Sequence, residues 1–254
     1  MLCAINPSIY SEVDKLSLLF RTAIPFPHVV IDDFLNEFVA DGLLKDFPKV
    51  SVMHHSHHYL FAKEKYDLSC WSRVSNLFSD LHTELLSNKF QIFVSKITGE
   101  NLFMDSNCYG EVHQGLNGSF LDMHTDFNLH PYQKNWLHRI NVIIYLNKNW
   151  KEEYGGALRL RWGLEGTINE VFPLFNRCVI MLSDDTTYHG YSRMSLPEGV
   201  TRKSILTNLY KEELPNRVPP RRTTTWVPDK TSVIKRGTAK LYNPIVLLKK
   251  LIIG

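Results

Sequence analysis

The stretch Phe120-Leu121-Asp122-Met123-His124-Thr125-Asp126-Phe127-Asn128 sets a histidine and an aspartate two apart inside an apolar run. In an extended chain, residues i and i+2 point to one face. His124 and Asp126 therefore look the same way, and Thr125 turns aside. An imidazole beside a carboxylate is either a salt bridge within a strand pair or two-thirds of a metal site. The pair alone does not choose between them, because His-x-Asp is common at this composition.

Further donors lie downstream. His189, in Thr187-Tyr188-His189-Gly190, follows the apolar run 177–182, where a loop can return it to the first pair. Two histidines and a carboxylate make a facial triad, which holds three positions of Fe(II) and leaves three open. Arg202-Lys203-Ser204 then leads another β-rich run. Alternation puts Arg202 and Ser204 on one face and Lys203 on the other. A buried guanidinium beside a hydroxyl is suited to gripping a small carboxylate in a charge-assisted, bidentate contact.

The surrounding pattern changes character along the chain. Residues 25–35 read as a short strand entered from a proline turn, with a helix after Asn36, a good N-cap, up to Pro48. Residues 51–70 are polar and read as irregular, with His54, His55, His57 and His58 as a solvated loop near the substrate mouth. Helical spacing recurs over 71–86 and near 90–97. From about 102 strands take over: 139–147, 157–162 after the turn at Gly155-Gly156, 177–182 and 203–210. Helices first and strands after predict a mainly β domain with supporting α-helices, a β-sandwich or jelly roll.

The order His124, Asp126, His189, Arg202, Ser204 resembles the iron(II)- and 2-oxoglutarate-dependent dioxygenases of the prolyl 4-hydroxylase type. The resemblance covers about residues 25–212 and includes PFPHVVIDDFL, RINVIIYLNKNW, GGALRL, and HG followed by RKS. It implies a cupin-like double-stranded β-helix in which His124, Asp126 and His189 bind Fe(II). It implies that Arg202, helped by Ser204, pairs with the far carboxylate of 2-oxoglutarate, and Tyr145 matches a position that often bonds the same group. By alternation Arg139, Asn141, Ile143 and Tyr145 share a strand face. The implied reaction hydroxylates an unactivated C–H bond with O2 and releases succinate and CO2, with ascorbate as reductant. Related halogenases leave the carboxylate position empty; Asp126 fills it, which favours hydroxylation. Two rival readings are a non-catalytic jelly-roll binding module and a cupin-like metalloenzyme that does not use 2-oxoglutarate.

The 254 residues, 44% hydrophobic and 22% charged, suit a globular protein with a sizeable core. No secretory signal or membrane-spanning run is evident, and the cysteines Cys3, Cys70, Cys108 and Cys178 are scattered, so an intracellular, cytoplasmic protein is expected. Residues 216–254 hold nine Lys/Arg against Asp229, a charge of +8; the chain's +3 thus leaves −5 for residues 1–215. We therefore expect one catalytic domain over 1–215 and a basic tail over 216–254 that is separable from catalysis. Asn243-Pro244 begins a short apolar segment, 245–253, suited to docking on the domain or to peripheral contact with an anionic membrane. Gln114, Asn128 and His130 flank the triad as candidate substrate contacts. Trp136, Trp150 and Trp162 read as packing rather than base-stacking, so nucleic acid is not an expected partner. A small molecule, a peptide or a glycan all fit as substrate.

Overall fold

The computed structural model describes residues 3–107, 110–228, 235 and 237–242, without the side chains of 55–59. Two helices open the chain, α1 (Pro7–Ser11) and α2 (Val13–Thr22), followed by β1 (His28–Ile31) and α3 (Glu37–Lys45). The hairpin β2 (His54–Tyr59) and β3 (Ala62–Ser69) comes next, then α4 (Asn76–Leu85) and α5 (Asn88–Thr98). The strands β4 (Glu111–Thr125), β5 (Trp136–Tyr145), β6 (Leu158–Trp162), β7 (Ile168–Val171), β8 (Arg177–Leu182), β9 (Thr187–Tyr191) and β10 (Arg202–Glu212) follow. A short strand, β11 (Thr225–Val227), comes last.

The strands pair antiparallel in the order β1-β8-β5-β10-β4-β9-β6-β7. The long strand β4 pairs with β10 over its first half, with β9 and β11 over its second, and with β3 along both. The sheet so bent back on itself is a jelly roll, the double-stranded β-helix expected from the sequence.

Period-two alternation along β5 explains how the barrel is both buttressed and hollow. Ile140, Val142 and Ile144 are fully buried on the outer face, in one cluster with Phe78, Leu81, Phe90, Val94 and Ile97 of α4 and α5. Ile143 and Tyr145 point inward and pack with Leu158, Leu160 and Val179. Each such apolar side chain contributes roughly 1.5–3 kcal/mol on burial. The helices begin and end where their sequences dictate. Asn36 caps α3 by accepting from the Phe38 amide at 3.0 Å, and Gly99 ends α5 at φ 75°.

Several elements differ from expectation. The α1–α2 pair was not anticipated; Leu16 and Phe20, one turn apart, form the buried stripe of α2. Residues 54–69 are a β-hairpin extending the sheet rather than an irregular loop. His189 lies within β9, and the loop after β8 returns it to His124 as expected. Arg139 does not share the inward face of β5. The β5–β10 register runs from Ile140↔Leu209 to His138↔Tyr210, so Arg139 is an extra residue, a bulge. It turns outward to pair with Glu100 at 2.6 Å, and His138 takes the inward position instead.

Candidate active site

The sharp end of β4 delivers the first two donors. His124 is the last inward residue before the strand stops at Thr125, and Asp126 follows in the loop. His189 arrives opposite on β9, where it is the direct partner of His124. Gly190 lets β9 come this close, because a Cβ there would strike the Leu121 and Asp122 carbonyls. His124 Nε2 lies 3.5 Å from Asp126 Oδ1, and His189 Nε2 lies 3.5 Å from Asp126 Oδ2. One donor atom from each of the three falls within 4.8 Å of the others.

Protonation suits a metal. The Asp122 carbonyl accepts from His124 Nδ1 at 2.9 Å, which fixes the proton there and leaves the Nε2 lone pair facing the carboxylate. Burial pushes the His189 imidazole down to about 4, so it is neutral at neutral pH. Burial alone raises the Asp126 carboxyl; the adjacent His189 and His124 imidazoles outweigh it and hold the group well below the usual carboxylate range. Two imidazoles and one carboxylate on the side of an open space fit Fe(II).

Asp126 is itself held. Asn141 Nδ2 donates to Asp126 Oδ2 at 2.7 Å, and Asn141 Oδ1 lies 3.0 Å from His138 Nε2. Both His138 ring nitrogens face acceptors, Nε2 the Asn141 Oδ1 and Nδ1 the Phe127 carbonyl at 3.2 Å.

The donors open onto a cavity of about 640 Å³. Arg202 lines it and is 6% exposed, its guanidinium 4.4 Å from the Tyr191 ring centroid and 5.0 Å from that of Tyr145. Its Nε donates to the Gly156 carbonyl at 2.8 Å and its Nη2 to the Tyr145 hydroxyl at 3.3 Å. Gly155 and Gly156, at φ 67° and 69°, make the turn that presents this carbonyl. Ser204 lines the same cavity, whereas Lys203 turns away and donates to Thr201 Oγ1 at 2.6 Å. The alternation expected for Arg202-Lys203-Ser204 is the one observed.

Residues 106–210 match the model of the 2OG-Fe(II) oxygenase superfamily. A prolyl hydroxylase from Trichoplax adhaerens, solved with a hypoxia inducible factor oxygen degradation domain peptide, superposes with a TM-score of 0.60 at 16% identity, over 81% of this chain and 90% of that one. A prolyl-4-hydroxylase from Pseudomonas putida gives 0.55 at 16% identity, over 82% and 100%. HygX from Streptomyces hygroscopicus, with nickel and 2-oxoglutarate bound, gives 0.51 at 12% identity, over 72% and 82%. A search among curated proteins returns no sequence match. The fold is that of these prolyl hydroxylases and of HygX, and His124, Asp126, His189 and Arg202 all fall within the matched residues.

The oxygenase cavity has a second, ionic wall that the sequence did not reveal. Strand pairing carries the inward row Tyr145–Ser204 onward to His113 and Asp67, and the row Arg202–Gly115 onward to Lys65. Lys65, Glu111 and His113 line the cavity, with His113 Nε2 3.0 Å from Glu111 Oε2. Burial, then the Lys65 ammonium, pushes His113 down to about 4. The only advance signal was alternation in 65–69 and 111–115, hidden because 51–70 did not read as strand.

Three expected substrate contacts are not in the oxygenase cavity. Gln114 faces away and donates to Thr201 Oγ1. His130 is buried, with its Nδ1 accepting from the Tyr132 and Gln133 amides and its Nε2 3.0 Å from Asp105. Asn128 bonds to Pro220 and Arg222. Trp136 and Trp150 pack against Phe103 and Tyr154, and Trp162 is exposed. Among the described residues, no metal-donor group other than His124, Asp126 and His189 is formed; the side chains of His55, His57 and His58 lie outside the described residues.

Beyond residue 215, β11 pairs with β4. Thr224, Trp226 and Tyr242 line the cavity. The apolar segment 245–253 lies outside the described residues. No helix among the described residues is long and apolar enough to cross a membrane.

Proposed function

We propose that His124, Asp126 and His189 hold the Fe(II), and that Arg202, with Tyr145 and Ser204, holds the far carboxylate of 2-oxoglutarate. The observation that carries this is the convergence of His124 Nε2, His189 Nε2 and the Asp126 carboxylate on a cavity that also contains the buried Arg202. The bound iron and oxo-acid supply O2 activation and oxidative decarboxylation to succinate and CO2. The chain's own groups bind and orient. Arg202 offers a planar donor fork stacked on Tyr191, Asn141 holds the Asp126 carboxylate in place, and Ile143 and Leu158 keep the oxo-acid side of the cavity apolar.

The substrate then meets the wall the oxo-acid does not use, lined by Lys65, Ser69, Glu111 and His113. Those groups favour a substrate rich in hydroxyl, amide or charged groups, as a small polar molecule, a peptide or a glycan would be. The peptide complex of the Trichoplax enzyme supports a peptide among these. We further propose a cytoplasmic enzyme with ascorbate as reductant. Any peripheral membrane contact is assigned to the residues beyond 242.

The test is succinate formation from 2-oxoglutarate by purified protein with Fe(II) and air, without added substrate. Slow, iron-dependent succinate release that disappears in His124→Ala supports the reading. Release unaffected by His124→Ala overturns it. No turnover, together with no 2-oxoglutarate binding, favours the binding-module alternative.

A further inference from the structure

Trp226 lies beyond the residues matched by the family model, yet it is a direct neighbour of a metal donor. In the β11–β4 pairing Trp226 is the register partner of His124, with Thr225 opposite Thr125 and Val227 opposite Met123. Its indole stacks on the His124 imidazole, centroids 4.7 Å apart and planes 29° from parallel. It also stacks on Phe61 at 5.2 Å and 12°. Trp226 is 6% exposed.

The chain before and after it is tied to both flanks of the donor pair. Arg222 Nη1 donates to Thr125 Oγ1 at 2.6 Å, between His124 and Asp126. Asn128, two residues past Asp126, accepts from the Arg222 amide at 2.7 Å and donates to the Pro220 carbonyl at 2.9 Å. Arg221 Nη2 donates to the His130 carbonyl at 3.0 Å. On the other flank Lys235 Nζ lies 3.1 Å from Asp122 Oδ2, and the Asp122 carbonyl is the one that holds His124 Nδ1.

A ring held by one hydrogen bond can still rock about that bond. A flat partner stacked on its face removes this freedom, and outer groups of this kind set metal affinity. We propose that Trp226 is a positioning residue for the iron site. It fixes the tilt of His124, and the strap of residues 220–227 holds it there and walls the iron side of the cavity. This rests on His124 being an iron ligand. The strap, though it comes after the family domain, is part of the working site.

The test uses full-length protein, freed of metal and titrated with Co(II), read by cobalt absorption and tryptophan emission. Trp226→Ala should weaken Co(II) binding by about 10–100-fold and alter the cobalt spectrum. Trp226→Phe, which keeps a flat ring, should bind within about threefold of the parent. The parent's emission should be quenched by Co(II), and Trp226→Phe should lose most of that quenching. Trp226→Leu, which fills the space without a flat face, should resemble Trp226→Ala and replaces it if that variant does not fold. Parent-like affinity and spectrum in the Leu variant would make Trp226 a filler and overturn the proposal. His124→Ala runs alongside. If it abolishes binding while the Leu variant is parent-like, only the Trp226 role fails; if it binds Co(II) like the parent, the metal assignment fails with it.

Discussion

Asn141 Nδ2 donates to Asp126 Oδ2 at 2.7 Å, on the oxygen nearer His189. The carboxylate is thus turned before any metal arrives. His138, brought inward by the bulge at Arg139, holds the far end of the same amide. Asn141→Ala should therefore lower Fe(II) affinity about tenfold with little change in melting temperature. Anaerobic equilibrium dialysis against Fe(II) measures this, and unchanged affinity would show that the network is dispensable.

Removing a donor should act more severely. Asp126→Ala and His124→Ala should lose iron-dependent succinate formation to background while their circular dichroism stays that of the parent. Succinate assays with and without Fe(II) decide the matter.

Arg202 and Lys203 are adjacent cations with different surroundings, one inside the cavity and one bonded to Thr201. Arg202→Ala should weaken 2-oxoglutarate binding by about 2–5 kcal/mol, the cost of stranding a buried carboxylate. Lys203→Ala should change it little. Oxo-acid titrations in which the two variants behave alike would contradict the observed strand register.

Asp67 gives a pH signature. Burial, then the Glu111 carboxylate, pushes its carboxyl up from 3.8 to about 6, with Lys65 and His54 pulling back. Between those values the folded chain keeps a proton that the unfolded chain gives up. This contribution is whole below the lower value and is lost as pH rises through the upper one. Asp67→Asn removes the loss, so the variant should gain about 2 kcal/mol over the parent at neutral pH and much less near pH 4. Denaturant melts at the two pH values measure the difference, and an equal gap at both would show that Asp67 is not the group responsible.

Much of the site was legible because strand alternation is strict. His124 and Asp126 converge as i and i+2, and Arg202 and Lys203 part company for the same reason. Alternation misled at Arg139, where one inserted residue reverses the faces and no residue type announces it. Lys65 and His113 went unseen because the hairpin carrying Lys65 is polar on its inward face and reads as loop. Trp226 was invisible for another reason: its partner His124 is far away in sequence, and only folding shows that the basic tail returns to the barrel.

Family matching ends at residue 210, and a gene fragment trimmed to that point would look complete on paper. It would encode every donor atom and the guanidinium, but β4 would have an uncovered edge beside Met123, His124 and Thr125, where β11 normally pairs. An exposed strand edge is a template for joining another chain. Such a fragment should be prone to self-association, with the metal donors at the junction, and low activity in it would reflect where the gene was cut rather than what the enzyme can do.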